Sequence, residues 1–349
     1  MSAAKSSGKL SHMRAWFEVM RVSNAPTVLS NAIAGAALGE LTVIAVATGP
    51  RNLIADGLIL RTDPSVWDAR IASIVVGLLA YIGGMMLNDA FDAAIDARER
   101  PMRAIPSGRV AQSHAFVAGF ACLFAALIAA WLTASTLALA ATLVLVGAVL
   151  TYNALHALTS ASVVLLALCR ALACVIPMFA YAGDDWKLCV TNGALALPVV
   201  LAAWTLGLSV MARGEVAGET DRKIVKRRGN ASHIMILLAP FTVALALVFV
   251  SQNGALNPNA YLISNELRTM LRSALPFGIA VMIVTTTLRA RMNVERDPRT
   301  TPSAVALWIS CLALIDAMAM FALGQFVLGT LCGGLCLLTR KLQRSIAGS

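Results

Sequence analysis

The sequence predicts an all-α fold, a polytopic bundle of transmembrane helices, on three observations. Hydrophobic residues make up 58% of the 349 and charged residues only 13%, with a mean hydropathy of +0.76, far outside the soluble globular range. Apolar stretches of about 20 residues, enough to cross a hydrocarbon core roughly 30 Å thick, recur along nearly the whole chain. The stretches lack the period-two alternation of outer-membrane strands, which leaves helices as the way to satisfy backbone polar groups in lipid.

Taken in order, apolar runs bounded by charge or turn residues predict spans at 25–47, 70–88, 112–134, 136–154, 161–182, 189–212, 232–251, 270–288 and 303–322. A shorter run at 324–338 offers a tenth. Residues 1–20 carry Lys5, Lys9 and Arg14 but no apolar stretch, so they read as an N-terminal tail without a cleavable signal peptide, and the first span directs insertion. Polar stretches near 48–69, 252–269 and 289–302 are only loop-sized, so residues 1–349 read as a single membrane domain. The seven cysteines lie in or beside apolar runs without CxxC spacing and read as small buried hydrophobes.

The net charge of +10 raises nucleic acid as a partner, and the placement of the charges excludes it. Nine alternating crossings collect the segments holding Arg98, Arg103, Arg109, Arg222, Lys223, Arg228, Arg289 and Arg296 on the side of the N-terminus, and leave the opposite side poor in Lys and Arg. That asymmetry predicts an integral, multi-pass protein of a bacterial inner membrane, with its N-terminus and motif loops cytoplasmic. The second and sixth spans each run into an acidic, then basic segment, at 88–109 and 213–230. Four crossings separate them, so both clusters return to one face. The expected architecture is two pseudo-repeated four-helix halves around a central cavity.

The first cluster reads Asn88-Asp89-Ala90-Phe91-Asp92-Ala93-Ala94-Ile95-Asp96 and continues through Arg98 and Arg103 to Pro106-Ser107-Gly108-Arg109. On one helix Asp89, Asp92 and Asp96 project within an arc of about 60°. Three carboxylates on one face repel, and at the edge of a membrane core a divalent cation offsets that repulsion effectively. Magnesium takes oxygen ligands, commonly one or two carboxylates together with substrate phosphates. An acidic face at the mouth of an apolar bundle suits a lipid diphosphate, although charge runs are also commonly solvated faces laced with ion pairs.

The spacing resembles the NDxxDxxxD signature of the UbiA superfamily of intramembrane prenyltransferases, and the following ERPxRxIPSGR is similar to that family's continuation. The resemblance implies that Asn88, Asp89, Asp92 and Asp96 bind Mg2+ and the prenyl diphosphate, with Asp92 and Asp96 closest to the chemistry. The segment Arg213-Gly214-Glu215-Val216-Ala217-Gly218-Glu219-Thr220-Asp221-Arg222 resembles the second acidic motif, usually DxxxD. It departs from that motif by offering Glu215 and Glu219 at i, i+4, with Asp221 pointing elsewhere on a helix. The same residues can instead pair with Arg222 and Lys226 along a helix face. By resemblance, Glu215, Glu219 and Asp221 are further metal ligands and Arg222 a substrate contact.

Arg21 and Asn24 resemble the family's RxxN-type start, which faces the substrate cavity, though polar side chains there also serve as glue between helices. Tyr152, Asn153 and His156 resemble a stretch in which a lysine follows the tyrosine. Arg170, inside the fifth run, must face the bundle interior or a polar partner, and the family has a similar cysteine-arginine segment. Asp316, in the ninth run, demands a pairing but suggests no chemistry. The Arg-Val-Ser-Asn-Ala-Pro-Thr start and the Arg-Gly-Glu second motif are similar to the EboC-like branch.

The resemblance implies Mg-dependent transfer of an isoprenoid from a prenyl diphosphate to a second small-molecule acceptor, commonly an aromatic ring, within membrane lipid. The competing reading is a non-catalytic lipid-binding or transport protein. Inverted repeats and helices broken at the midplane would favour it; acidic motifs at span ends favour the enzyme.

Overall fold

The computed structural model describes residues 12–48, 64–156, 159–191, 193–213 and 265–346, all of them helix or connecting turns with no strand. The helices are α1 (Ala25–Thr48), α2 (Pro64–Phe91), α3 (Ala93–Glu99), α4 (Gln112–Leu132), α5 (Thr136–Leu155), α6 (Val163–Ala182), α7 (Trp186–Thr191), α8 (Ala196–Arg213), α9 (Asn265–Arg296), α10 (Thr301–Ala322) and α11 (Phe326–Ser345). Six described stretches are long and apolar enough to cross a membrane: Ile71–Phe91, Gln112–Leu132, Thr136–Leu155, Val163–Ala182, Met270–Arg296 and Thr301–Ala322. They match six of the expected spans, and the protein is a multi-pass integral membrane protein.

The other expected spans fare differently, for local reasons. The first is a helix, α1, along which Ser30, Asn31, Glu40 and Thr42 are buried. The stretch 189–212 is not one span: it divides into α7 and α8 at a turn where Gly193 takes a φ of 69°, a conformation that favours glycine. The run 232–251 lies outside the described residues, as do Glu215, Glu219, Asp221 and Arg222. The tenth run is a helix, α11.

The N-terminal segment is more built than a tail. Residues 12–19 are helical, with Ala15 and Val19 fully buried against Met86, Ile105 and Val110. Arg109 ties the connection after α3 to this segment through Glu18, at 2.8 Å.

Helices α1, α2, α5, α6, α8 and α10 enclose the centre, with α4 against α2 and α9 and α11 against α10. The close approach of α1 to α6 depends on Gly35 and Gly39, where a Cβ would collide with the backbone carbonyls of Cys174 and Met178. Small residues bring membrane helices together in this way. Large apolar side chains such as Val117, Phe124 and Trp131 stay exposed on α4, as a lipid-facing surface requires.

Candidate functional site

The acidic segment folds as a helix that bends rather than one straight face. Helix α2 ends at Phe91 and α3 begins at Ala93, with Asp92 between them at φ −80° and ψ −3°. The Asp92 amide still donates to the Asn88 carbonyl at 2.9 Å. The bend divides the three carboxylates. Asp96 takes Arg103 Nη1 at 2.7 Å and Asp89 lies 3.8 Å from the same nitrogen, so one guanidinium serves both. Asp92 turns to the opposite wall, where His156 Nε2 sits 2.9 Å from Oδ1 and Asn88 Nδ2 donates to Oδ2 at 2.9 Å.

Arg21 supplies a second cation, donating from Nη2 to Asp89 Oδ1 at 3.0 Å. Its backbone is left-handed, φ 46° and ψ 47°, an uncommon state for a non-glycine residue that marks a constrained turn. Two contacts hold that turn: Tyr81 donates its hydroxyl to the Arg21 carbonyl at 3.0 Å, and the Asn24 amide donates to the same oxygen at 3.0 Å.

His156 closes the ring of charge. It stacks on Tyr152 with ring centroids 5.2 Å apart. Its two nitrogens face acceptors, Asp92 at Nε2 and the Asn153 carbonyl at 3.2 Å from Nδ1, an environment that the doubly protonated imidazolium satisfies. The hydrogen bond to Asp92 accordingly raises its pKa above 6.5, against the opposing effect of burial.

Below this mouth lies a cavity of about 190 Å3 lined by Arg21, Asn24, Tyr81, Asn88, Tyr152, Asn153 and Arg170, and then by Val28, Leu145, Val149, Leu166, Leu208 and Leu312. Arg21, Asn24, Asn88 and Asn153 line the end next to the carboxylates, and Arg170 adds a polar group deeper among the apolar walls. Two helical turns past Asn24, Arg170 Nη1 donates to Asn31 Oδ1 at 3.0 Å and Thr27 Oγ1 at 3.3 Å. The Asn31 amide nitrogen donates in turn to Asp316 Oδ2 at 2.7 Å, joined there by Ser30 Oγ at 2.6 Å. Asp316 is fully buried, and among the described residues its Oδ1 has no hydrogen-bond partner.

The structure thus gathers Arg21, Asn24, Asn88, Asp89, Asp92, Asp96, Arg103, Tyr152, Asn153, His156 and Arg170 about one cavity and its mouth. Arg98 is exposed and has no described contact with the cluster; one turn past the bend, it faces away from Asp96. Sequence reasoning missed Tyr81, although its position seven residues before Asn88 puts it on the cluster's face of α2. It also missed Gln343, whose Nε2 donates to Asn24 Oδ1 at 2.9 Å across 319 residues. No local signal announces that contact.

The donor set suits magnesium, since Asn88 and the three aspartates offer oxygen ligands. Among the described residues no three His, Cys, Asp or Glu side chains converge to hold an ion by themselves. Arg103 sets one positive charge against both Asp89 and Asp96.

Residues 53–301 match the UbiA prenyltransferase family. Two curated relatives are named digeranylgeranylglyceryl phosphate synthase. The one from Methanoregula boonei is 38% identical over 79 residues, 21% of this chain and 28% of the relative. The one from Korarchaeum cryptofilum is 34% identical over 83 residues, 22% of this chain and 30% of the relative. The chain therefore spans less than a third of the length of these relatives. A solved structure concerned with digeranylgeranylglyceryl phosphate synthase in membranes superposes with a TM-score of 0.52 at 15% identity, covering 90% of this chain and 99% of that one, a likeness of fold. With the match extending over most of its length, the chain belongs to the UbiA prenyltransferase family.

Proposed function

We propose that the protein is a magnesium-dependent prenyltransferase that moves an isoprenoid chain from a prenyl diphosphate to an acceptor inside the membrane. The observation that carries this reading is the polarity of one cavity: Arg21, Asn24 and Asn88 at one end, with the carboxylate cluster beside them, and apolar side chains of α1, α5, α8 and α10 beyond. A diphosphate head meets the charged end, and the hydrocarbon tail lies along the rest.

In this mechanism Arg21, Arg103 and His156 exchange carboxylate partners for phosphate oxygens as the donor binds. Asn88, Asp89, Asp92 and Asp96 are the residues that would hold Mg2+, with Asp92 and Asp96 nearest the reacting head. Bound there, the ion supplies charge neutralisation for the leaving diphosphate. The guanidinium groups aim fixed positive charge at the same oxygens as the allylic carbon-oxygen bond breaks. Val149, Leu166, Leu208 and their neighbours keep water from the allylic cation. Tyr152 and Asn153 line the cavity with Asn88, and the buried Asn153 Oδ1 has no donor among the described residues, so it is suited to accept one from the acceptor.

An aromatic ring is the acceptor expected by family resemblance. The names of the two curated relatives favour a second class, a prenylated glyceryl phosphate, and Arg170 offers a cation for such a phosphate. Glu215, Glu219, Asp221 and Arg222 complete the proposed site from the second motif, with motif loops and N-terminus on the cytoplasmic face of a bacterial inner membrane.

The test is to incubate the purified protein with Mg2+, labelled prenyl diphosphates of several lengths, and aromatic or glyceryl phosphate acceptors, beside Asp92→Ala. Diphosphate release that depends on acceptor and is lost in Asp92→Ala supports the reading. Its absence under every condition returns the protein to the non-catalytic lipid-binding class.

A further inference from the structure

On the far side of α10 from the central cavity lies a second cavity of about 260 Å3, built from the end of α9, the start of α10 and the last turns of α11. Arg289 and Asn293 lie four residues apart on α9, as do Ser303 and Leu307 on α10, so each pair lines one helix face toward the opening. Arg340 enters from α11.

The chemistry of this cleft is one-sided. Among the described residues no carboxylate lines it. Glu295 is engaged by Arg291 on another face of α9, at 2.8 Å. Among the described residues neither Arg289 nor Arg340 has an ion pair; Arg340 donates only to the neutral Gln343 Oε1, at 3.3 Å. The Ser303 hydroxyl donates to the Thr300 carbonyl at 2.6 Å. The remaining donors are two guanidinium groups and the Asn293 amide, a set suited to phosphate oxygens.

The surroundings decide which phosphate. The cleft lies at the ends of two membrane-spanning helices, and the chain neighbours of its lining residues, Leu288 and Met292 on α9 and Leu337 and Leu338 two to three residues before Arg340 on α11, are exposed apolar side chains. A free phosphate has no use for that apolar rim, whereas acyl chains do. Basic pockets between spanning helices are where anionic headgroups bind. Gln343 fixes the face concerned: it receives Arg340 and donates to Asn24 and to the Ala306 carbonyl, so the cleft opens on the same side of the bundle as the mouth of the central cavity.

We propose that Arg289 and Arg340, with Asn293, form a binding site for the phosphate headgroup of an anionic membrane lipid in the cleft between α9, α10 and α11. The site is separate from the central cavity and stands whether or not that cavity is catalytic. The full-length protein is reconstituted in mixed phosphatidylglycerol and phosphatidylcholine, extracted, and the lipids it retains are counted by native mass spectrometry. The double variant Arg289→Gln/Arg340→Gln loses retained phosphatidylglycerol roughly tenfold, while phosphatidylcholine retention is unchanged. Arg299→Gln, which removes an exposed arginine outside the cleft, leaves both unchanged. Arg289→Lys/Arg340→Lys keeps part of the binding. Should the double variant fail to fold, Arg289→Gln alone, on an exposed side chain, carries the test with a smaller loss. Equal retention in wild type and variants overturns the proposal, and so does full displacement by millimolar inorganic phosphate, which would make the ligand a free anion.

Discussion

The mouth of the central cavity and the network two turns below it both bury carboxylates, and they satisfy them in opposite ways. At the mouth Asp89, Asp92 and Asp96 are matched by Arg21, Arg103 and His156 and keep some exposure. Below it Asp316 is fully enclosed and held by the neutral donors of Ser30 and Asn31, with Arg170 reached only through the other end of the Asn31 amide. Charged partners can be traded for a charged ligand. An enclosed carboxylate held by neutral donors cannot be traded without cost, so it fixes geometry: Asp316 draws the Asn31 NH2 group and thereby turns the Asn31 oxygen toward Arg170.

Substitutions at the two levels should therefore separate function from folding. Asp92→Ala is expected to lower turnover by at least about 100-fold while leaving the thermal midpoint nearly unchanged; a large fall in that midpoint would mean the mouth is structural. Asp316→Ala leaves the Ser30 and Asn31 donors buried without their acceptor and should cost about 1–3 kcal/mol of stability, read by thermal unfolding in detergent. Wild-type stability in that variant would remove the contrast between the levels. Gln343→Ala frees Asn24 without touching either carboxylate set, and a rise of roughly threefold in the KM for prenyl diphosphate is expected, about 0.7 kcal/mol, with kcat unchanged.

The smallest expected effect is a pH dependence. Because the folded-state pKa of His156 is raised by its hydrogen bond to Asp92, its contribution to stability is complete below the unperturbed value of 6.5 and is lost as pH rises through the raised value. For this partly buried pair at the cavity mouth, solvent screening keeps the amount below about 1 kcal/mol. Melting curves across that range should converge for wild type and His156→Gln at alkaline pH, and a gap that widened there would reverse the assignment.

The mouth was legible in the sequence because its residues are local. Asn88 through Arg103 is one short stretch whose spacing carries the chemistry, and Arg21 sits at a recognisable boundary between polar tail and apolar span. The network below was not, because its meaning lies in contacts between Asn31 and Asp316, 285 residues apart. Asp316 alone announced only the need for a partner. Helical class and the placement of six spans followed from hydropathy, while the division of 189–212 turned on one glycine turn that an apolar average conceals. The bend at Asp92 is a similar case: an ideal helix puts three aspartates on one face, and the chain uses a local break to send the middle one to His156.

The polar face of α1 also carries a consequence for how the protein is made. Ser30 and Asn31 leave the ribosome 286 and 285 residues before the carboxylate they bind. At about 5–20 residues per second, that interval is on the order of tens of seconds. Through it the first helix lacks its Asp316 partner, so its final seating in the bilayer follows the synthesis of α10. Assembly of this bundle is thus sealed from its C-terminal end backwards, and a chain truncated before Asp316 would leave its opening helix without the acceptor that completes it.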